Sequence, residues 1–342
     1  MYPLVRMNDS MRCNALRIRL CASWALLLLL AAQFWWTQCA QAQQPPRIAI
    51  VLMGFSTSAS EAQAFRQGMR DAGYTEGRDV VLDWRSAEGD YQRVPSLVAE
   101  VVKTKPDVLV VENTIVVAEA KRETVAIPIV IAVAADPVGS GLVESLARPG
   151  GNITGLSMMI TDLGTKRLQL LKEAMPGMKR LGVLRDPTLP WHAKAVEELA
   201  ALAKSMAIEF MVVSAQSPAE FDAAFSTLRR SRVQALYILD SGFFNQHRTA
   251  ILKLAAQARL PVAYGYRRWA ESGALLSYSA DFGDMFRRAA GYVDRILKGA
   301  KASELPIEQP RKFQLVINLK AAESMGLKIP DSLLIQADEV IR

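Results

Sequence analysis

Cysteine and histidine are almost missing from the working part of this 342-residue chain. Its three cysteines, Cys13, Cys21 and Cys39, all fall within the first 42 residues. If that segment is removed, neither a disulfide nor thiol chemistry is available to the rest. The two histidines, His192 and His247, stand far apart and in no metal-ligand spacing. A GxxxxGK[ST] phosphate loop, a GxSxG nucleophile turn and a strand-coupled GxGxxG are all lacking. No long lysine or arginine run is present, because Lys121-Arg122, Arg229-Arg230, Arg267-Arg268 and Arg287-Arg288 are isolated pairs. A nucleic-acid partner is therefore not expected.

The amino terminus has the layout of an export leader. Arg6, Arg12, Arg17 and Arg19 form a basic start, Cys21 to Trp36 is apolar, and Ala40-Gln41-Ala42 offers a small-x-small cleavage pattern. An apolar run of about 16 residues is short for a spanning helix, which wants roughly 20. Trp36-Thr37-Gln38 lacks the small and branched residues of a lipid-attachment site before Cys39. The expectation is a periplasmic protein freed from its leader (residues 1–42) without a lipid anchor, whether translation starts at Met1, Met7 or Met11. Losing four arginines and one aspartate lowers the net charge from +7 to +4, so much of the basicity belongs to the leader. The remaining 300 residues exceed the usual size of one core and suggest two lobes.

In the rest of the chain, apolar runs alternate with helix-period segments. Strands are expected at Arg47 to Met53, Val80 to Trp84, Val108 to Glu112 and Ile129 to Val133. A second series follows at Arg180 to Leu184, Glu209 to Val213, Ala235 to Leu239, Val262 to Tyr264 and Leu275 to Ser277. Between them, Ala64-Gly68-Met69, Leu97-Val98-Val101-Val102 and Phe221-Ala224-Phe225-Leu228 repeat at three- and four-residue spacing. This alternation implies mainly parallel sheets with helices on both faces.

In such sheets ligands sit beyond the carboxyl ends of strands, so the polar groups there are the candidates. After the first strand come Phe55, Ser56 and Ser58, which cap a helix start near Ser60 or touch a ligand. After the third, Asn113 and Thr114 open another helix. Asp136 follows the fourth strand and either accepts from a ligand or ties down its own loop; Gly139-Ser140-Gly141 reads as a turn rather than an anion nest. In the second series Trp191 precedes a helix, with His192 in a capping or cleft role. Asp240-Ser241 follows Ala235 to Leu239, and Tyr264 and Tyr266 follow Val262. Phe243 and Phe244 read as core. The candidate ligand contacts are thus Phe55, Ser56, Ser58, Asn113, Thr114, Asp136, Trp191, Asp240, Ser241 and Tyr264.

Several ordered blocks carry a resemblance to a known family. They include FRQGMRDAGYTEGRDVVLDWRSAEGDYQRVPSLVAEVV (65–102), ADPVGSGLVESLARPGGNITGLS (135–157), KRLQLLKEAMPGMKRLGVLRDP (166–187) and FDAAFSTLRRSRVQALYILDSGFF (221–244). The segment from Ala289 to Leu334 agrees as well. The chain resembles the substrate-binding proteins of ABC transporters, in the group with tryptophan- and tyrosine-type binding proteins. It departs from the pattern at Asp240-Ser241-Gly242-Phe243-Phe244, where relatives have a Pro-Asp-Pro-Phe-Phe-like run and the acid is displaced by one position. The resemblance implies an α/β fold of the type I periplasmic-binding-protein kind, two Rossmann-like lobes joined by three hinge crossings. The lobes expected are 43–155 plus 279–309 and 156–278 plus 310–342. It also implies a non-enzymatic, monomeric protein that needs no cofactor and no metal. Such a protein captures a small organic ligand in the interlobe cleft and delivers it to an ABC permease with its ATPase. An aromatic or branched amino acid and an aromatic acid without an amino group are both open as ligands. A ligand-sensing receptor, or a periplasmic hydrolase or isomerase using Asp136 or Asp240 as base, is the alternative.

Overall fold

The computed structural model describes residues 44–158 and 160–342. The expected leader and all three cysteines therefore lie outside the described residues. Two sheets organise the rest. The first has the strand order β2-β1-β3-β4-β5 and is parallel throughout. Its strands are β1 (Arg47–Leu52), β2 (Val81–Ser86), β3 (Val108–Glu112), β4 (Ile129–Ala134) and β5 (Ile153–Ser157). Helices Val94–Lys103 and Thr114–Glu123 cover one face; Ser60–Asp71 and Phe282–Leu297 cover the other. That double cover explains why RIAIVL, VLVVE and IVIAVA read as unbroken apolar runs: every residue of β3 and β4 is buried.

The second sheet has seven strands in the order β12-β11-β10-β9-β8-β6-β7. They are β6 (Arg180–Arg185), β7 (Glu209–Ser214), β8 (Ala235–Ile238), β9 (Val262–Tyr264), β10 (Leu276–Ala280), β11 (Phe313–Asn318) and β12 (Glu339–Ile341). Strands β6 to β10 are mutually parallel, whereas β11 runs antiparallel to β10. This one antiparallel pair leaves the sheet mainly parallel, as expected. Tyr278, Ser279 and Ala280 are held opposite Leu315, Gln314 and Phe313, so β10 runs farther than its apolar run suggests.

The chain passes between the sheets three times: after β5, after β10 at Asp281, and between Glu308 and Phe313. The expected boundaries at 155/156 and 278/279 fall inside β5 and β10, two residues before each strand ends. The helix Phe282–Leu297 returns the chain from the second sheet to the first. Its entry is fixed by Asp281, whose carboxylate accepts the Asp284 N–H at 3.0 Å. Phe282, Met285, Phe286, Ala289, Ala290 and Val293 form its buried stripe.

That stripe meets the helix Ser60–Asp71 so closely that a Cβ added at Gly68 would lie 2.5 Å from the Arg287 carbonyl oxygen and 2.8 Å from the Ala290 Cβ. We expect Gly68→Ala to destabilise the protein. Alanine's helix propensity favours it by about 1 kcal/mol, but overpacking against rigid backbone costs roughly 1–3 kcal/mol. Thermal unfolding should show a lowered Tm; an unchanged or raised Tm would mean that the two helices separate without cost.

Candidate functional site

The carboxyl ends of both sheets face one cleft of about 590 Å³, within the range of small-molecule sites. The first sheet contributes the ends of β3 and β4 with the loops that follow; the second contributes the segments after β6, β8 and β9. Apolar lining comes from Ile115, Val133, Met158, Leu189, Pro190 and the half-buried Trp191.

On the first wall, β4 slips by one residue against both neighbours just before it reaches the cleft. Val111 pairs with Ile131 but Glu112 with Val133, and Ile131 pairs with Gly155 but Ala134 with Ser157. A bulge of this kind re-aims the side chains beside it. Next, Asn113 adopts φ +86°, a conformation uncommon outside glycine. Its carboxamide accepts the Ile115 N–H at 3.0 Å and caps the helix Thr114–Glu123. The Thr114 hydroxyl accepts the Ala135 N–H at 3.0 Å. Asp136 is exposed at the mouth, and its Oδ1 accepts the N–H of Gly139 at 2.8 Å, so one carboxylate oxygen is spent on its own turn.

The second wall is held by a buried ion pair. Arg167, 1% exposed, makes a two-pronged contact with Asp240: Nη2 to Oδ2 at 3.0 Å and Nη1 to Oδ1 at 3.3 Å. The same guanidinium donates to the Tyr237 hydroxyl at 3.0 Å and to the Tyr278 carbonyl at 3.1 Å, while the Gly265 N–H adds to Asp240 Oδ1 at 3.1 Å. Burial by itself would push the Arg167 pKa down, but the charge of Asp240 outweighs it and the guanidinium is raised. Ser241 is equally committed. Its hydroxyl donates to Asp186 Oδ2 at 3.0 Å and contacts the Tyr91 hydroxyl at 3.2 Å. Its backbone N–H and C=O both bond the Tyr264 hydroxyl at 3.0 Å.

His192 joins the ends of β6 and β8. Nδ1 accepts the Asp186 N–H at 2.9 Å, so Nε2 carries the proton and donates to the Asp240 carbonyl at 3.0 Å. Burial lowers its pKa, consistent with this neutral ring. Both nitrogens serve the backbone, and neither acts on the Ser241 hydroxyl.

The cleft brings together six of the ten expected contacts: Asn113, Thr114, Asp136, Trp191, Asp240 and Ser241. The other four lie elsewhere. Phe55 is buried in an aromatic cluster, 5.7 Å from Tyr266, 5.9 Å from Phe282 and 5.8 Å from Phe286 between ring centroids. Ser56 and Ser58 are exposed and bond each other at 3.3 Å, while the residue before the Ser60–Asp71 helix is Ala59, which makes no side-chain cap. Tyr264 stacks on Trp269 at 4.0 Å behind the wall, and Tyr266, two residues on and past the strand's end, lines the cleft instead. Glu112 and Lys194 also line it. Glu112 closes an otherwise apolar run, which hid it among core residues; the exposed Lys194 stands one turn into the helix that begins at Trp191.

Glu112 is 2% exposed. Its Oε2 accepts the N–H groups of Met53 at 2.8 Å and Gly54 at 3.0 Å, and Oε1 takes no donor among the described residues. Burial pushes its pKa up to about 7 despite those two bonds. Among the described residues, no group of three or more His, Cys, Asp or Glu side chains is placed to hold a metal ion. No helix among them is long and apolar enough to cross a membrane.

Comparison with known proteins places this geometry in context. The family described as ABC transporter substrate binding protein matches residues 48–341. A tyrosine-binding protein of Clostridioides difficile is 26% identical over 280 residues, covering 81% of this chain and 80% of that protein. The crystal structure of a conserved domain protein from Vibrio cholerae superposes with a TM-score of 0.81 at 28% identity, over 87% of this chain and 100% of that one. An ABC domain from Streptococcus pneumonia, solved in complex with L-Trp, gives 0.80 at 24% identity over 87% and 100%. A leucine-binding protein from Thermotoga maritima gives 0.55 at 13% identity over 74% and 83%, so the fold is similar to that of type I periplasmic binding proteins.

Two variants test this account of the walls. Asp240→Ala leaves the Arg167 charge buried without its partner, which costs about 3–5 kcal/mol, whereas Asp136→Ala at the exposed mouth loses one turn hydrogen bond and should cost about 0.5–1.5 kcal/mol. Urea unfolding should separate the two; similar midpoints would contradict the structural role of the pair. Glu112 gives a pH signature. An acid raised to about 7 in the folded state holds its proton longer than it does unfolded, so its contribution to stability is full below about pH 4.5 and is lost as pH rises through 7. In ligand-free protein, Glu112→Gln should therefore raise Tm at pH 8 and do so much less at pH 5. A gain of equal size at both pH values would show that Glu112 does not titrate there.

Proposed function

We propose, for a chain that belongs to the family of ABC transporter substrate-binding proteins, that the cleft captures a small amino acid with an aromatic or branched side chain. The two lobes, 43–155 with 279–309 and 156–278 with 310–342, rock about their crossings, and the closed, loaded form is handed to a permease driven by its ATPase. The family is extracytoplasmic; removal of the leader (1–42) delivers this member to the periplasm as a monomer without a lipid anchor.

The observation that carries the reading is the convergence of strand ends from both sheets on one cleft that is apolar on its sides and polar at a few points. The first turn of the helix Thr114–Glu123 offers N–H groups and the positive end of its dipole to a carboxylate, with Lys194 across the cleft as a further cation. Trp191 supplies a face for a ring or branched chain. The tyrosine-binding relative supports an aromatic amino acid as ligand.

Capture at micromolar concentration requires about −8.2 kcal/mol. Two or three charge-assisted hydrogen bonds at roughly 1.5–3 kcal/mol each, together with burial of the side chain, reach that range net of closure. No bond need be made or broken.

L-tyrosine, L-tryptophan and L-leucine test the reading directly. A ligand that binds the native state and is present at 100 times its Kd should stabilise the protein by about 2.7 kcal/mol, visible as a raised Tm. It should be recovered chemically unchanged by mass spectrometry, and Trp191→Ala should weaken it by roughly 2- to 10-fold. A flat thermal profile across the panel, or conversion of the ligand, overturns this function.

A further inference from the structure

We propose that Glu112 is the acceptor for a protonated amino group of the ligand, so that the cleft selects amino acids over acids of the same shape that lack the amine. This rests on the reading of the cleft as a solute site and goes further by assigning what the ligand must carry.

Three carboxylates line the cleft: Glu112, Asp136 and Asp240. Asp240 is already neutralised by Arg167 and further held by the Gly265 N–H. Asp136 lies exposed at the mouth, folded onto the Gly139 N–H. Glu112 is the buried one that has no ion-pair partner among the described residues. Two backbone N–H groups orient it through Oε2, and Oε1 remains without a donor among the described residues while the side chain lines the cleft.

Its charged neighbours do not change that. Arg268 acts on it favourably, but Arg268 is ion-paired with Glu61, which acts on it unfavourably. Tyr266, which also lines the cleft, is a neutral group whose pKa burial raises well above its usual value. A buried carboxylate in this position is costly unless a cation meets it, and the cleft is the open side from which one can come. The backbone also places this acid well. Glu112 is followed at once by Asn113 and the first turn of the Thr114–Glu123 helix. An ammonium acceptor and a carboxylate-binding helix start are thus neighbours in the chain, as the two charges are neighbours on one α-carbon.

Proton balance distinguishes this from the opposite use of the same group. Because burial pushes the Glu112 pKa up to about 7, part of the free protein holds that proton at neutral pH. An ammonium ligand would stabilise the carboxylate and expel that proton. A ligand presenting only a carboxylate there would instead stabilise the protonated acid and take a proton up.

The experiment compares L-tyrosine and L-tryptophan with 3-(4-hydroxyphenyl)propionate and indole-3-propionate by titration calorimetry at pH 7, in two buffers of different ionisation heat. Wild-type protein should bind an amino acid more tightly than its deaminated analogue, with net proton release. Glu112→Gln, which keeps an oxygen for the Met53 and Gly54 N–H groups, should weaken the amino acid roughly 10- to 100-fold and leave the analogue unchanged or tighter. Should the variant fold poorly, proton release from the wild type decides by itself. Proton uptake, equal or tighter binding of the deaminated acid, or undiminished amino-acid affinity in the folded variant would overturn the assignment of Glu112 and leave the solute site standing. Absence of binding by all four compounds would instead remove the ligand class, and this inference with it.

Discussion

The second wall of the cleft depends on one buried guanidinium. Arg167 projects from the helix Ile160–Ala174 and bonds three groups on two strands: the Tyr237 hydroxyl in β8, Asp240 just after β8, and the Tyr278 carbonyl in β10. Asp240 in turn takes the Gly265 N–H from beyond β9. Its carbonyl accepts from His192, which is anchored on Asp186 beyond β6. One charge pair therefore gathers the ends of four strands into a single surface. A Cβ at position 265 would lie 2.4 Å from Asp240 Oδ1 and 2.8 Å from Arg167 Nη2, so glycine is what lets the backbone approach the pair. Taking two ions out of water is expensive, and such a pair is favourable only with its remaining hydrogen-bonding capacity satisfied. Here most of it is. The result is rigidity at the place where a ligand would be held.

The two walls are joined by contacts of a different character. Tyr91 reaches from the first lobe to the Gly242 N–H at 3.1 Å and to the Ser241 hydroxyl, and Asn245 donates to the Gly54 carbonyl at 2.8 Å. Beside these bonds, Phe55 packs with Tyr266, Phe282 and Phe286 in one continuous apolar cluster. Apolar packing is non-directional, so it can hold two bodies together while tolerating small rotations that a rigid hydrogen-bond network would resist. Around one cleft the protein thus combines a stiff polar wall with a seam of apolar packing and a few polar contacts.

Much of the architecture could be read directly from the residues. The apolar runs of β1, β3 and β4 announced buried parallel strands because both faces of that sheet are covered. The helix Phe221–Arg230 announced itself through the spacing of Phe221, Ala224, Phe225 and Leu228, whereas the helix Phe282–Leu297 was not marked out. At the cleft, Asn113, Thr114, Asp136, Asp240 and Ser241 were accessible to reasoning because they are polar residues just past strand ends, and Trp191 because it opens the helix after β6. Ser56 and Ser58 satisfied the same rule, yet their loop turns outward, and no local feature marks that turn. The choice of Tyr264 over Tyr266 went astray because which residue faces the cleft depends on where the strand stops. Glu112 escaped notice as the last letter of an apolar strand, and its role depends on which groups of the folded chain surround that strand end.

The order of apolar and polar residues determined the α/β alternation, the positions of nine of the twelve described strands to within a few residues (not β5, β11 or β12) and the family to which the chain belongs, since each follows from local periodicity or from collinear blocks. Only the tertiary structure decided which charges are free to act. Arg167 lies more than seventy positions before Asp240 in the chain, and Glu112 almost sixty positions after the amides that orient it. Whether a carboxylate is neutralised or left waiting depends on distances of a few ångströms between such remote residues, because electrostatic interaction strengthens with proximity and burial, not with nearness in sequence.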